Sequence, residues 1–259
     1  MNDAFRPLSL RQRTLLWLFP RRCVWCGKVT EPTEPLCPAC AEKPPETARR
    51  GLPVSAAVCL FCGSARPCAC RLRAPLLWCY GYHSPGRRVF LDLKFRGKRA
   101  AAADLALTMT EALRRCEEAG PFVDAAVCCV PMTAAQLKRR GYNQSALLGR
   151  ACARGLGLRW EPGLLRKVAE TDEQHRLPGP QRFQNVDGAF AAADPDRLRD
   201  RKILLVDDVT TTGATLRECV RALREAGAAT VFCLTFLGSD GPAAEPEQNE
   251  GSCRNDESV

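Results

Sequence analysis

The stretch Lys202-Ile203-Leu204-Leu205-Val206-Asp207-Asp208-Val209-Thr210-Thr211-Thr212-Gly213-Ala214-Thr215-Leu216 constrains this chain more than any other. A continuous aliphatic run suits a strand buried on both faces of a parallel sheet. The run ends in two adjacent carboxylates and a hydroxyl-rich turn. A helix over 215–226 follows, with Leu216, Val220 and Leu223 spaced for one face and Gly227 as a C-cap signal. Further apolar runs at 78–82, 123–130 and 230–237 predict strands, and helical patterns fill 101–119 and 144–156. In the latter, Leu147, Leu148 and Ala151 fall on one stripe. Alternating strands and helices predict an α/β fold, a parallel sheet with helices on both faces.

In open α/β sheets, ligands bind beyond the carboxyl ends of the strands. The turn at 210–215 offers amides and hydroxyls at a helix N-terminus, a site suited to an anion, and Gly213 lets a phosphate approach the backbone closely. Asp207 and Asp208 cannot serve that phosphate, because like charges repel. They suit the two hydroxyls of a sugar diol. A ribose 5-phosphate unit meets both needs. The chain contains neither GxxxxGK[ST] nor the GxGxxG dinucleotide fingerprint.

Eight of the 16 cysteines fall between residues 23 and 70. Cys23-x2-Cys26-Gly27 is followed by Cys37-x2-Cys40, and four thiolates at this spacing suit one tetrahedral Zn²⁺. Cys59-x2-Cys62-Gly63 repeats the knuckle, with a less regular partner in Cys68-x-Cys70. The spacing predicts one or two structural zinc ions and leaves open whether ligands pair sequentially or interleave. Four thiolates leave no open position for catalytic water. Cys79, Cys116, Cys128, Cys129, Cys152, Cys219, Cys233 and Cys253 lack ligand spacing, and those in apolar runs read as small buried hydrophobes.

No apolar run approaches the ~18 residues of a membrane helix. The Leu15–Phe19 run is stopped by Pro20, too short for a signal peptide. The chain reads as cytoplasmic, without membrane insertion, in a reducing compartment where paired cysteines bind metal. The expected organisation is an N-terminal lead over 1–22, a double zinc ribbon over 23–73, an α/β domain over 76–237 and a disordered acidic tail over 238–259. The net charge is +9, and residues 1–110 hold 18 basic against 7 acidic side chains, an electrostatic pattern that suits a polyanion.

The stretch at 203–216 resembles the phosphoribosyl pyrophosphate (PRPP) motif of type I phosphoribosyltransferases. Over roughly residues 15–237 the chain resembles the ComF family, which joins a double zinc ribbon to such a domain. Leu93-Lys94-Phe95-Arg96-Gly97, Val130-Pro131-Met132 leading to Arg139-Arg140-Gly141-Tyr142-Asn143-Gln144, and Arg166, Thr171, Gln174, Arg182, Asn185 and Gly188-Ala189-Phe190 carry the resemblance. It implies a type I phosphoribosyltransferase-like sheet. It also implies PRPP bound with Mg²⁺ at Asp207, Asp208, Thr210, Thr211, Thr212, Gly213, Ala214 and Thr215, and a role in DNA uptake with a competence helicase as partner. Pro131, Met132 and Thr133 would form the pyrophosphate loop. Lys138, Arg139 and Arg140 would add cationic charge. Residues 166–188, with Arg166, Lys167, Arg176 and Arg182, read as a flap that excludes water. His175 lies in that flap without visible partners, as does His83 elsewhere. Nothing specifies the acceptor of the ribosyl group.

Two functional classes follow. One is a phosphoribosyltransferase that requires Asp207 and Asp208. The other is a non-catalytic zinc-ribbon protein that binds single-stranded DNA, with PRPP a regulatory ligand or absent. Aromatic stacking platforms for DNA are few, at Trp17, Trp25 and Phe61.

Overall fold

The computed structural model describes residues 20, 23, 26, 28–31, 37–42, 56–65, 68–82, 87, 90–91, 101–117, 120, 124–169 and 187–239. The chain divides into two compact units, Met1–Glu46 and Thr47–Val259. Among the described residues of the first lies a short helix, α1 (Pro38–Glu42). The second contains the sheet and the remaining helices.

Aliphatic and sulfur side chains dictate the central sheet. Its strands are β1 (Val58–Cys59), β2 (Pro75–Gly81), β3 (Ala126–Cys129), β4 (Arg159–Trp160), β7 (Lys202–Thr210) and β8 (Thr230–Gly238). Their spatial order is β1-β2-β8-β7-β3-β4. Every pairing is parallel except that of β1 with β2. The middle strand β7 is buried from Ile203 to Asp208, as parallel strands covered on both faces must be. The short β5 (Leu165–Lys167) and β6 (Phe190–Ala192) form a separate antiparallel ribbon.

Among the described residues, the helices between these strands include α2 (Ala101–Arg114), α3 (Ala134–Arg140), α4 (Gln144–Leu156) and α5 (Ala214–Glu225). Helix α5 turns Leu216, Cys219, Val220 and Leu223 onto one side of the sheet. There they join Leu76, Trp78, Ala126, Cys128, Ile203, Leu205, Val231 and Cys233 in one core. Burying each Leu or Val contributes about 1.5–3 kcal/mol. Helices α2 and α4 bury Leu105, Met109, Leu148 and Cys152. Close helix–strand approach requires Gly149: a Cβ there would meet the Trp160 ring at 2.6 Å.

The chain leaves β3 through α3 and α4 to β4 on one side, and leaves β7 through α5 to β8 on the other. The sheet order therefore reverses between β3 and β7, and a ligand crevice opens at such a reversal.

Several elements differ from the sequence expectation in extent. Strand β7 runs four residues past Val206, because pairing with β8 continues to Thr210 opposite Gly238. Strand β3 is confined to Ala126–Cys129, the residues that pair with β7, and only Ala126 and Val127 also pair with β4. Helix α2 stops at Arg114 rather than 119, where the Cys116 amide turns back to the Leu113 carbonyl. On α4 the buried stripe is Gln144, Ser145, Leu148, Gly149, Cys152 and Ala153; Leu147 and Ala151 are half-exposed. Cys79, Cys116, Cys128, Cys129, Cys152, Cys219 and Cys233 are all buried, those outside apolar runs as well as those within them. No helix among the described residues is long and apolar enough to cross a membrane.

Candidate functional site

Strand β7 delivers Asp207 and Asp208 to the carboxyl edge of the sheet, and both are buried. Asp207 Oδ1 accepts from the Ser145 hydroxyl at 2.6 Å and from the Asp208 amide at 2.9 Å. Burial, and then the adjacent Asp208 charge, push the Asp207 carboxyl up to about 8; the Ser145 and Asp208 donors pull the other way. At neutral pH the pair therefore tends to retain a proton. A hydroxyl donor or a cation beside it would favour full ionisation.

Beyond the carboxylates the chain bends through residues 211–213. Gly213 adopts φ +80°, a left-handed conformation that favours glycine, and caps α5 without a side-chain bond. The Thr212 hydroxyl lies 3.4 Å from the Ala214 amide. Asp207 and residues 209–216 line a small hollow. Thr210 is among these residues, and its hydroxyl is buried and has no hydrogen-bond partner among the described residues. The loop is braced from β8, since the Ser239 amide donates to the Thr210 carbonyl and the Ser239 hydroxyl to that of Thr211.

A second, more open cleft of about 580 Å³ lies at the end of β3. Pro131, Met132, Thr133, Ala134 and Ala135 line it with Leu165, Arg166, Lys167, Val168 and Ala169. The Val130 amide donates to the Val206 carbonyl, so the 131–133 loop departs beside Asp207. Asn143 fixes the loop's root: its Nδ2 donates to the Val130 carbonyl while its Oδ1 caps α4 through the Ala146 amide. Thr133 and Gln136 form a reciprocal capping box at the start of α3, which engages the Thr133 amide. Lys167 Nζ sits over the Phe190 ring at 5.6 Å, so β6 orients that cation.

Arg139 and Arg140 end the exposed helix α3 and line neither hollow. Arg182, Arg176, His175 and His83 lie outside the described residues, as do the Lys94–Gly97 segment and the 240–259 tail. The returning end of the 166–188 segment is held on α5, where Glu218 Oε1 accepts from the Gly188 amide at 2.7 Å.

The cysteines separate into two sequential groups. Cys23, Cys26, Cys37 and Cys40 bring their sulfurs within 4.8 Å of one another, as do Cys59, Cys62, Cys68 and Cys70. The Cys26 and Cys37 sulfurs are 3.6 Å apart, near the roughly 3.8 Å edge of a tetrahedron with 2.3 Å Zn–S bonds. Tight turns shape both knuckles: the Cys23 amide reaches the Lys28 carbonyl, and the Gly63 amide, at φ +74°, reaches that of Cys59. Both groups fit structural zinc. The first belongs to the N-terminal unit and the second to the unit that holds the sheet.

Sequence reading did not pick out Ser145 or Arg217 as contributors to this region. Ser145 follows the N-terminal Gln144 of an amphipathic helix, where serine is unremarkable. Arg217 sits among the charged positions of α5, yet its side chain is buried.

Residues 166–258 match the family model of the phosphoribosyl transferase domain. A parallel sheet with this carboxylate and hydroxyl edge, accompanied by two four-cysteine groups, defines a phosphoribosyltransferase-like protein with zinc-ribbon modules. The DNA utilization protein YhgH of Salmonella typhimurium is 31% identical over 220 residues, covering 82% of this chain and 88% of its own length. Competence protein F of Haemophilus influenzae is 37% identical over 103 residues, 39% of this chain and 45% of its own. The chain belongs to the ComF family. Among solved structures, the glutamine PRPP amidotransferase of B. subtilis overlaps 52% of this chain and 26% of its own, at 24% identity and a TM-score of 0.35.

Proposed function

We propose that this protein binds PRPP together with Mg²⁺ and transfers its 5-phosphoribosyl group to an acceptor, in a role connected with the use of external DNA. The observation that carries the site is the hollow lined by Asp207 and residues 209–216, where the end of β7 brings a buried carboxylate and, three residues on, a buried Thr210 whose hydroxyl has no hydrogen-bond partner among the described residues. The loop amides and threonines suit the 5-phosphate, and the carboxylates suit the ribose diol. The cleft bounded by residues 131–135 and 165–169 suits the pyrophosphate, with Arg166 and Lys167 as its nearest cations.

In the transfer, the bond from C1′ to the pyrophosphate oxygen breaks with its electron pair leaving on pyrophosphate, and the acceptor's nucleophile bonds to C1′. Positive charge builds on the sugar, so catalysis amounts to holding geometry and neutralising the leaving group. Mg²⁺ bound with the substrate would supply charge neutralisation at the pyrophosphate and the diol. Asp207 and Asp208 would orient the hydroxyls, Arg166 and Lys167 would hold the leaving group, and Ser145 would fix Asp207. The connection with DNA is supported by the names of the two relatives. A basic α3 without buried residues, carrying the exposed Lys138, Arg139 and Arg140, favours a second reading, single-stranded DNA binding without catalysis.

Calorimetric titration of PRPP and Mg²⁺ into the zinc-loaded protein, beside an Asp207→Asn/Asp208→Asn variant, tests the proposal. Binding by the parent alone supports it. A folded, zinc-replete parent that binds no PRPP overturns it in favour of DNA binding, which would weaken steeply with salt.

A further inference from the structure

Arg217 is among the largest fully buried side chains of the protein, at 1% exposure. It lies in the first turn of α5, where its own amide donates to the Gly213 carbonyl at 2.9 Å. Its guanidinium reaches away from that turn: Nε donates to the Leu60 carbonyl at 3.1 Å, across 157 residues of sequence. Leu60 is fully buried between the cysteines Cys59 and Cys62. Its amide is bound in turn by the Ala74 carbonyl at the threshold of β2. Phe61 packs on the same core that receives Leu216. One permanently charged side chain thus bridges the backbone of the second cysteine knuckle and the helical turn that closes the 207–216 hollow.

Burying a guanidinium is costly unless charge and hydrogen bonds compensate it. A carbonyl supplies the hydrogen bond. A tetrathiolate holding one Zn²⁺ is formally dianionic and would supply the charge, from the same knuckle whose backbone Arg217 already grips. The knuckle would therefore do more than staple a small module.

We propose that Arg217 is a positioning residue that couples the Cys59/Cys62/Cys68/Cys70 group to the 210–217 loop and turn, so that metal held by these cysteines sets the geometry of the ligand loop. The coupling itself stands on the contacts above. Its consequence for PRPP rests on the function proposed in the preceding section.

Hydrogen–deuterium exchange on the full, zinc-loaded chain separates the two. In the parent, the amides of residues 211–217 should exchange slowly. Arg217→Met should speed them by about tenfold or more, the loss expected for a hydrogen bond from a charged donor. It should also speed chelator-driven release of one zinc, from the second group, by about 10- to 100-fold. Release from the Cys23 group and exchange in α2 should not change. Arg217→Lys, which keeps the charge without the guanidinium fork, should fall between. Cys62→Ser, which leaves Arg217 in place, provides the reciprocal test: losing the second zinc should loosen 211–217 even if Arg217→Met fails to fold. Unchanged exchange at 211–217 in folded Arg217→Met, or in Cys62→Ser, overturns the coupling. Calorimetry then reads the consequence. PRPP bound by the parent and weakened in Arg217→Met supports it, and PRPP bound equally by both overturns it. A parent that shows the exchange coupling but binds no PRPP overturns the PRPP assignment and leaves the coupling supported.

Discussion

Ser145, in the first turn of α4, donates its hydroxyl to Oδ1 of Asp207 in the second half of β7 over 2.6 Å, with both groups buried. This bond ties the helix that follows β3 to the strand beside β3. It therefore sets one of the two carboxylates by a contact that no motif around Asp207 reveals. Ser145→Ala leaves a buried carboxylate with one donor fewer. It should destabilise the fold by about 1–3 kcal/mol in urea unfolding and raise the Asp207 pKa further.

The raised pKa of Asp207 carries a pH signature of its own. Between the unfolded value of 3.8 and the folded value of about 8, the folded state holds a proton that the unfolded state has lost. Stability then falls as pH rises through that window. Asp207→Asn can still accept from Ser145 and carries no charge. Its melting temperature should depend less on pH than the parent's, and it should exceed the parent's near pH 8 and above. A parent whose stability is flat from pH 5 to 8 would contradict this.

Glu161 should behave in the opposite sense. It accepts from Arg201 at 2.5 Å and Arg197 at 2.7 Å, and the Arg201 bond leads the effects that lower its pKa. The stabilisation is present above the unfolded value near 4.5 and is lost as pH falls through the lower folded value. These arginines are partly exposed, so Glu161→Gln should cost no more than about 1 kcal/mol at neutral pH. The variant's difference from the parent should shrink toward zero in acid unfolding.

Gly238 closes β8 opposite Thr210, and a Cβ there would lie 2.5 Å from the Trp78 ring. Gly238→Ala should destabilise by about 1–3 kcal/mol through overpacking. Because Gly238 pairs with Thr210, the variant should also weaken PRPP binding in calorimetry more than an equally destabilising change in α2 does.

Metal analysis should find two zinc ions per chain. Cobalt substitution should give the charge-transfer absorption of tetrahedral thiolate sites at both. Cys26→Ser should remove one ion and leave the melting of the sheet-bearing unit unchanged, whereas Cys62→Ser should remove the other and lower it. A single ion in the fully reduced parent would show that one group does not close around metal.

Much of the fold was legible because its determinants are local and periodic. The 202–206 run could only be an interior strand, and helices α4 and α5 were marked by spacing, α5 also by Gly227. The 144–156 bounds agree with the structure, while its buried face is rotated by about one position, because Ser145 and Gly149 are drawn inward by Asp207 and Trp160. Helix α3 was missed although Thr133 and Gln136 carry a readable capping box; its lack of buried residues leaves no hydrophobic periodicity to find. The zinc ligand sets were legible as residues but not as pairings, since spacing alone permits both sequential and interleaved grouping. Arg217 was not legible at all. Its partner is a backbone carbonyl 157 residues away, and main-chain acceptors have no sequence signature.

The brace from Ser239 to the Thr210 and Thr211 carbonyls has a practical side. The residue that follows the last strand is also a strut of the ligand loop. A shortened protein made for crystallisation should thus retain Ser239, since ending at residue 237 or 238 would remove two hydrogen bonds from the loop while sparing nearly all of the core. An affinity handle joined directly at that point would pull on the same loop, so a spacer belongs between them.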